Sequence, residues 1–338
     1  MGSGLPTKIL VTGGLGFIGS NFIRHIFQKR PGTYVLNIDK IGIGANPANL
    51  NDIKKHKNYR FIKGDISEPK VLKDSIKKVD VIFNFAAETH VDRSITHPEQ
   101  FIKSNIVGTF NLLESIRKQN REIEYTQIST DEVYGEILEG SSNEKDRLAC
   151  SNPYSASKAS ADMLCLAYHR TYGLNVKISR CTNNFGPFQF PEKLIPKTII
   201  RALKNFKTPI YGTGKNSRDW IYVIDHCDAL LHVQEKGRNG EIYNISSGNI
   251  LENIHLAKTI LKILAKPDDL IAFVEDRPGH DFRYSLDSSK IRSELSWNPK
   301  HEFYSSLEKT VNWYKNNESW WKPLSLEKVL HSTPWKTE

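Results

Sequence analysis

Residues 12–19 of the chain read Thr-Gly-Gly-Leu-Gly-Phe-Ile-Gly and directly follow an apolar run that ends at Val11. Glycines between a strand and a helix let the backbone turn tightly and approach a pyrophosphate at the positive end of the helix. The next predicted strand ends at Asp39, twenty positions after Gly19, where a carboxylate can accept hydrogen bonds from the ribose hydroxyls of an adenosine. Asp39 would repel a 2′-phosphate, which favours NAD over NADP, although Lys40 lies beside it. The stretch therefore predicts a dinucleotide-binding unit rather than an ordinary glycine turn.

Strand and helix patterns alternate on both sides of this turn, as they do in βαβ units built on a parallel sheet. The predicted strands are residues 9–11, 34–38, 59–62, 79–85, 125–128 and 176–179. The predicted helices are residues 17–28, 69–77, 98–118 and 153–172. A later helix and strand, residues 224–234 and 241–245, are predicted to return to the same sheet.

This order predicts an α/β fold, with a doubly wound parallel-sheet Rossmann domain and a smaller α/β substrate-binding domain. We assign residues 1–181 to the NAD-binding Rossmann domain, with residues 224–248 returning to it. Residues 182–223 and 249–338 then form the second domain, where proline and glycine interrupt the regular alternation.

Composition narrows the class of protein. The chain has 338 residues, 38% of them hydrophobic and 25% charged, which indicates a globular protein with a sizeable core. Its formal net charge of +9 is dispersed, so we expect no nucleic-acid surface, although an anionic substrate stays compatible. No apolar run approaches the roughly 18 residues of a membrane span, and no secretory leader is evident. The four cysteines, far apart and without zinc-ligand spacing, favour no metal site and reduced thiols in the cytoplasm.

A tyrosine and a lysine stand four residues apart near the start of the predicted helix 153–172. On a helix this spacing places the Tyr154 phenol and the Lys158 ammonium on one face. Bringing a tyrosine from its usual pKa of about 10 to near 7 needs about 4 kcal/mol of differential stabilisation of the phenolate. A nearby lysine and a cofactor cation can supply much of it. Alone the pair is equally consistent with a surface stack, but after a dinucleotide fingerprint we expect a catalytic phenolate.

Residues 129–135, Ser-Thr-Asp-Glu-Val-Tyr-Gly, come directly after the fifth strand. The ligand crevice of an open parallel sheet lies beyond the carboxyl ends of its strands, which places this segment at a reaction centre. Adjacent Asp131 and Glu132 suit an elimination, in which one carboxyl is held protonated and the other stays ionised as a base. The alternative is that both decorate a loop. Neighbouring side chains on a strand face opposite ways, so the backbone must leave strand geometry here for both to act.

These motifs carry a family resemblance. The chain resembles the extended short-chain dehydrogenase/reductases and, within them, the dTDP-glucose 4,6-dehydratases, over nearly its whole length. The shared motifs are the glycine turn, the Asp-Glu pair, the Tyr-Lys pair, and residues 37–40, 85–94, 183–187, 190–196, 218–220 and 276–281. The glycine turn and the Tyr-Lys pair specify only the superfamily, whereas the Asp-Glu pair after Thr130 points to dehydratases. Residues 40–46 depart from the family's Thr-Tyr-Ala-Gly pattern, which bears on adenosine contacts.

The resemblance implies a redox-neutral dehydration of a nucleoside-diphosphate sugar, dTDP-glucose being favoured. Tyr154, helped by Thr130, would take the proton of the sugar's 4-hydroxyl while carbon 4 gives its hydride to NAD. Glu132 would then remove the proton at carbon 5, and Asp131 would protonate the departing 6-hydroxyl. Lys158 would steer the phenolate and bind the nicotinamide ribose. Family members commonly dimerise through helices that correspond to residues 98–118 and 153–172, so we expect a homodimer.

The resemblance also assigns binding residues. Those expected to bind NAD are Gly13, Gly16, Phe17, Ile18, Gly19, Asp39, Lys40, Asp65, Ile66, Ala86, Ala87, Tyr154 and Lys158. Those expected to bind the nucleotide sugar are His90, Thr130, Asn184, Glu192, Lys193, Leu194, Arg218, Asn253, Arg277 and His280. Two arginines suit a diphosphate because each guanidinium offers paired donors in a plane.

Two other functions stay open from the sequence. A related NAD-dependent nucleotide-sugar epimerase, or a dehydratase with a different nucleotide, would share the oxidation at carbon 4. A non-catalytic nucleotide-binding protein on the same fold would not need the Tyr-Lys pair, which the chain retains.

Overall fold

The apolar runs of the first half of the chain form the strands of one parallel sheet. The computed structural model describes residues 7–336. Its strands are β1 (Lys8–Thr12), β2 (Tyr34–Asp39), β3 (Tyr59–Lys63), β4 (Val81–Asn84), β5 (Glu124–Thr130), β6 (Val176–Cys181), β7 (Asn183–Phe185), β8 (Thr208–Tyr211), β9 (Ser217–Tyr222), β10 (Ile242–Ile245), β11 (Ile250–Glu252) and β12 (Ile271–Val274). Its α-helices are α1 (Phe17–Lys29), α2 (Pro69–Leu72), α3 (Val91–Thr96), α4 (Pro98–Phe101), α5 (Gly108–Arg117), α6 (Pro153–Tyr172), α7 (Leu194–Leu203), α8 (Val223–Lys236), α9 (Asn253–Ile263), α10 (Ser289–Leu295), α11 (Phe303–Asn316), α12 (Glu318–Trp321) and α13 (Glu327–Leu330).

The large sheet has seven strands in the order β10-β6-β5-β4-β1-β2-β3, and every pairing in it is parallel. Strands β4 and β6 are buried along their whole length, because helices cover both faces of a doubly wound sheet. The α/β fold with a doubly wound parallel sheet is therefore confirmed. Strand β10 pairs with β6, which also confirms that the segment around residues 241–245 returns to this sheet.

The two faces of the sheet carry separate apolar clusters. Ile9 and Val11 of β1 lie in the cluster that contains Phe22 of α1 and Leu230 of α8. Leu10, between them, lies in the other cluster with residues of α5 and α6. Alternate side chains of a strand point to opposite faces, so residues 9–11 pack against helices on both sides of the sheet.

The remaining elements build a smaller α/β region. Strands β11, β9 and β7 form one sheet, β12 and β8 pair in parallel, and helices α7, α9 and α11 supply a third apolar cluster. Two segments cross the predicted division, because residues of both pack into the first cluster of the large sheet. They are Ile221 and Val223 in one segment and Ile291, Leu295 and Trp297 in the other. The domain boundaries themselves stay a prediction, and their outer ends, residues 1–6 and 337–338, lie outside the described residues.

One predicted helix is too long, and another contains a π-helical stretch that was not predicted. The helix expected over residues 69–77 ends at Leu72 and is followed by turns and a 3₁₀ turn, Ile76–Lys78. The helix expected over residues 98–118 is interrupted by a π-helical stretch, Ile102–Val107, between α4 and α5. Among residues 7–336, no helix has the length and apolarity to cross a membrane.

Candidate active site

The carboxyl ends of the parallel strands open into a cleft, as expected for a doubly wound sheet. Every residue predicted to bind NAD lines this cleft, and so do the five predicted catalytic residues. Of the residues predicted to bind the nucleotide sugar, the cleft wall includes His90, Thr130, Asn184, Glu192 and Lys193. The other five are Leu194, Arg218, Asn253, Arg277 and His280, which lie outside that wall.

The glycine turn, residues 13–19, forms a backbone concavity that side chains at the glycine positions would block. Gly13 has φ +71°, and a Cβ there would lie 2.6 Å from the amide nitrogen of Ala86. A Cβ on Gly19 would lie 2.5 Å from the carbonyl oxygen of Gly13. These glycines are required by close approach of backbone to backbone, and the turn ends at the N-terminus of α1. Its geometry fits a pyrophosphate against backbone amides.

Asp39 ends β2 beside this turn and is fixed by the backbone. Its two carboxylate oxygens accept from the amide of Leu15 at 3.0 Å and the amide of Ile41 at 2.7 Å. Burial raises the pKa of Asp39, and both backbone hydrogen bonds oppose that rise. An ionised carboxylate has about four acceptor positions, so two remain for ribose hydroxyls.

Lys40 does not offer a free positive charge next to Asp39. Its Nζ lies 2.7 Å from Oε1 of Glu88 and donates to Oγ of Ser104 at 2.8 Å. The carboxylate of Glu88 balances the positive charge of the Lys40 ammonium. Lys40 therefore does not argue against a preference for NAD over NADP.

Helix α6 presents Tyr154 and Lys158 to the cleft. Asn152 caps it by accepting from the amide of Ser155 in a capping box, and Pro153 occupies the first turn, where its missing N–H costs nothing. Lys158 Nζ donates to the carbonyl oxygen of Ile128 at 2.6 Å. Tyr154 is 7% exposed, so its phenol lies in a nearly dry part of the cleft.

In the chain by itself, the surroundings of the Tyr154 phenol oppose its ionisation. Burial, and after it the carboxylate of Glu132, raise the pKa of Tyr154 well above its ordinary value. The ammonium of Lys158 is directed to a backbone carbonyl, and burial lowers its own pKa. The chain by itself therefore does not produce a phenolate near neutral pH. A positive charge from outside the chain is needed, and the nicotinamide ring of NAD⁺ carries one.

The carboxylate pair leaves strand geometry where β5 ends. Asp131–Tyr134 forms a 3₁₀ turn in which Thr130 Oγ1 accepts from the amide of Glu132 at 3.3 Å. The Thr130 hydroxyl also donates to Oδ1 of Asp131 at 3.1 Å. The change of backbone geometry expected after Thr130 is confirmed, and both carboxylates line the cleft together with Tyr154.

The two carboxylates sit in different electrostatic environments. Burial and the neighbouring charge of Glu132 raise the pKa of Asp131 to about 8. Burial also raises the pKa of Glu132, but the cations of Arg277, Arg218 and Lys193 oppose that rise. Oδ2 of Asp131 and Oε2 of Glu132 are buried without a hydrogen-bond partner among the described residues. One carboxyl is thus set up as an acid and the other as a base, each with a free oxygen.

Cations gather on the side of the cleft that the smaller region supplies. Burial, followed by the charges of Lys193 and Lys197, lowers the pKa of His90 well below its ordinary value. Burial, Arg277 and Arg218 lower the pKa of His280 to about 4. Burial is the main cause of both lowered pKa values, and the cations that add to it indicate a positive field, which suits a diphosphate.

Three of the predicted sugar-nucleotide residues outside the cleft wall still lie close to the carboxylate pair or its cations. Arg218 and Arg277 act on Glu132, and both act on His280. Arg277 Nη1 donates to Oδ1 of Asp92 at 2.7 Å, while its buried Nε has no partner among the described residues. The other two lie on the second region's helices, since Leu194 packs against the third apolar cluster and Asn253 begins α9.

Several residues that shape the site were not predicted from sequence. Arg93 donates to Oε2 of Glu192 at 2.9 Å, and it lies in the stretch 85–94 shared with the family, although no role was assigned to it. Asp92 orients Arg277 across 185 residues of chain, for which no local pattern exists. Asp162, fully buried behind Lys158, accepts from Ser129 Oγ at 2.9 Å and from Arg180 Nε at 3.0 Å; its spacing of four from Lys158 could have suggested it. No cluster of three or more metal-ligating side chains occurs among residues 7–336.

Comparisons with known proteins agree with this geometry. A family model described as GDP-mannose 4,6 dehydratase matches residues 10–310. The chain is 47% identical over 321 residues to a dTDP-glucose 4,6-dehydratase of Streptomyces niveus, covering 94% of this chain and 95% of the relative. The dTDP-glucose 4,6-dehydratase DesIV of Streptomyces venezuelae, crystallised with NAD, superposes with a TM-score of 0.92 at 42% identity, covering 94% of this chain and 100% of that one. The corresponding enzyme of Bacillus anthracis, also with NAD, gives 0.88 at 45% identity, with the same coverage of 94% and 100%.

Proposed function

The chain belongs to the GDP-mannose 4,6-dehydratase family, and we propose that within it the protein acts as an NAD-dependent dTDP-glucose 4,6-dehydratase. The reaction converts dTDP-glucose to dTDP-4-keto-6-deoxyglucose and water. The observation that carries the proposal is the pair Asp131 and Glu132, buried at the end of β5 beside Tyr154, with their charges divided by environment.

The cofactor site is built by the glycine turn, Asp39 and the face of α6. The backbone concavity of residues 13–19 would hold the pyrophosphate, Asp39 the adenosine ribose, and Lys158 the nicotinamide ribose. NAD supplies an acceptor for the hydride of carbon 4 and gives that hydride back to carbon 6. Since the cofactor is regenerated in each turnover, it has no reason to leave the protein.

Tyr154 removes the proton of the sugar's 4-hydroxyl. Its phenol is buried beside Thr130, whose hydroxyl can share a hydrogen bond with it and lower its pKa. The cationic nicotinamide and Lys158 then favour the phenolate against the burial that opposes it. The 4-hydroxyl becomes a ketone, and the ketone acidifies the hydrogen on carbon 5.

Glu132 and Asp131 divide the elimination. Burial raises the pKa of Glu132, while Arg277, Arg218 and Lys193 favour its carboxylate form, and that carboxylate takes the proton from carbon 5. Asp131, with its pKa of about 8, is protonated at neutral pH and gives that proton to the 6-hydroxyl, which leaves as water. The hydride returns to carbon 6 and a proton returns to carbon 5. The sum is loss of one water with no net oxidation.

The positive side of the cleft would hold the nucleoside diphosphate. Arg218 and Arg277 offer planar groups of donors, and the buried Nε of Arg277 is free for a phosphate oxygen. His90 and His280, both neutral, can donate or accept hydrogen bonds without adding charge. Glu192 and Asn184 remain candidates for the sugar hydroxyls.

A direct assay tests the function. Purified protein is incubated with dTDP-, UDP- and GDP-glucose, and each reaction is made alkaline to reveal the chromophore of a 4-keto-6-deoxy sugar. We expect the chromophore with dTDP-glucose. Change of configuration at carbon 4 without the chromophore would assign the protein to the epimerases, and no turnover of any nucleotide sugar would leave the non-catalytic function.

The assembly and the compartment are further parts of this proposal. Ile102, Val107, Phe110 and Met163 are 48%, 39%, 42% and 55% exposed along the faces of α5, α6 and the π-helical stretch, an apolar patch that a second copy of the chain could cover. A homodimer should scatter light as twice the 38.6 kDa chain, and a monomer at micromolar concentration would contradict it. The four cysteines are all unpaired, which supports a reducing cytoplasm.

A further inference from the structure

The C-terminal helices reach the glycine turn through one buried asparagine. Asn49 lies in a 3₁₀ turn, Pro47–Leu50, and is 1% exposed. Its Nδ2 donates to the carbonyl oxygen of Leu15 at 2.8 Å, and its Oδ1 accepts from Nε1 of Trp320 in α12 at 2.8 Å. The amide of Leu15 in turn donates to Asp39 at 3.0 Å. A chain of three hydrogen bonds thus runs from the smaller region to the carboxylate expected on the adenosine ribose.

Aromatic packing holds Trp320 in place. The ring of Phe188 lies 5.8 Å from that of Trp320 and 4.7 Å from that of Trp313. The guanidinium of Arg24, on α1, lies 4.1 Å from the centre of the Phe188 ring. Phe188 has φ +69°, a left-handed conformation that costs a non-glycine residue free energy and persists only where its surroundings hold it.

We propose that Asn49 and Trp320 are positioning residues for NAD: they hold the Leu15 peptide, and through it the glycine turn and Asp39, in the geometry that binds the cofactor. The inference rests on the NAD site of the proposed function. Neither side chain lines the cleft, so each acts through Leu15 and not by touching the cofactor.

The Leu15 peptide needs such support because of its neighbours. It lies between Gly14 and Gly16, whose backbones have more freedom than any other residue type. Asn49 and the amide of Asn46 fix its carbonyl oxygen, while Asp39 accepts from its N–H. Losing the side chain of Asn49 would leave the turn free to rotate away from Asp39.

Three variants test the proposal. Asn49→Ala removes both hydrogen bonds, and Trp320→Phe removes only the N–H and keeps a ring. Trp313→Phe is the control for aromatic packing, because the Trp313 ring packs on Phe188 and on Trp320, 5.0 Å away, without bonding to Asn49. NAD content as purified and NAD affinity after stripping, measured by calorimetry, are compared with the melting temperature of the NAD-free protein. A merely structural role would change the melting temperature and leave NAD affinity unchanged.

We expect NAD affinity to fall roughly tenfold in Asn49→Ala, about threefold in Trp320→Phe and less than about twofold in Trp313→Phe, as the loss of one or two hydrogen bonds implies. The double variant should match Asn49→Ala, because Trp320 acts through Asn49. Wild-type affinity in both Asn49→Ala and Trp320→Phe overturns the inference, as does an equal loss in Trp313→Phe. If Asn49→Ala does not fold, Trp320→Phe alone decides. A wild-type protein that does not bind NAD refutes the proposed cofactor as well, which separates the two failures.

Discussion

The cofactor side and the nucleotide-sugar side of the cleft are built in different ways. The cofactor side uses backbone, chiefly one contiguous turn, residues 13–19, and one fixed carboxylate on the adjacent strand. The sugar side gathers charged side chains from distant segments, for example Arg277 held by Asp92 across 185 residues. A binding site made of backbone atoms has little room for added side chains. A binding site made of side chains depends on contacts between residues that are distant in sequence. The two halves should therefore fail differently when single residues are changed.

Variants of Asp131 and Glu132, which lie where the cofactor side and the nucleotide-sugar side of the cleft meet, should have the largest effect on product formation. Glu132→Gln and Asp131→Asn should each lower product formation by about 10²- to 10⁴-fold, the usual worth of general acid or base catalysis. The readout is mass spectrometry of the sugar in heavy water. Glu132→Gln should stop hydrogen exchange at carbon 5, while Asp131→Asn should retain exchange and lose dehydration.

Tyr154→Phe serves as the comparison for these variants, because it should prevent both exchange and dehydration by impairing the first oxidation. Equal loss of exchange in Asp131→Asn and Glu132→Gln would contradict the division of roles between the two carboxylates.

On the sugar side, Arg277→Met should raise KM for the nucleotide sugar roughly 10- to 100-fold, since a hydrogen bond to a charged group is worth about 1.5–3 kcal/mol. NAD affinity should stay as in the wild type, because the glycine turn is backbone. Arg283→Met is the control, since Arg283 bonds to the carbonyl oxygens of Ile137 and Gly140. A parallel loss of NAD affinity in Arg277→Met would show that the two sides are not independent.

The pH dependence tests Asp131 directly. Its pKa rises from 3.8 unfolded to about 8 folded, so the acid is lost and dehydration should decline as pH rises through about 8. The stability that Asp131 contributes to the folded protein also decreases as pH rises. The folded state retains a proton that the unfolded state releases, so this group's contribution to stability falls as pH rises from about 4 to about 8.

Asp131→Asn should accordingly be nearly equal to wild type near pH 4 and become more stable than wild type as pH rises, by up to about 6 kcal/mol above pH 8, as measured by urea denaturation. A wild-type protein whose stability relative to Asp131→Asn does not change with pH would exclude a raised pKa.

The smallest effect is expected on the cofactor side. Asp39→Asn keeps a single carbonyl oxygen for the amides of Leu15 and Ile41, so we expect NAD affinity to fall about five- to tenfold and the discrimination against NADP to narrow. Nucleotide extracted from denatured protein identifies the bound species. Asp74→Asn, at an exposed carboxylate, is the control. Unchanged discrimination in Asp39→Asn would remove the role given to this residue.

Local spacing made one side of the cleft predictable. The glycine turn, Asp39 and the Tyr154/Lys158 pair follow from patterns within about twenty residues, and the structure places all of them in one cleft. The sheet followed from alternating apolar runs, including the late return of β10. The spacing of residues did not predict the ionisation behaviour of Tyr154, because its raised pKa arises from burial, which no local motif encodes.

The sugar side and the link between the two regions depend on contacts with no local signal. Trp320 bonds to Asn49 across 271 residues, and each is an unremarkable residue in its own segment. The family resemblance supplied Arg277 and His280 and included Asp92 in the shared stretch 85–94, but it gave no sign that Asp92 orients the arginine. The early end of α2 at Leu72 and the π-helical stretch Ile102–Val107 were not predicted from the local pattern.

The central claim is that one protein removes a hydride from carbon 4 and returns it to carbon 6 with loss of water between the two steps. The measurement is the position of the label after turnover of dTDP-glucose deuterated at carbon 4. We expect deuterium at carbon 6 of a 4-keto-6-deoxy product, with no net change in the cofactor's redox state. Deuterium retained at carbon 4 of a sugar with an intact 6-hydroxyl would contradict it.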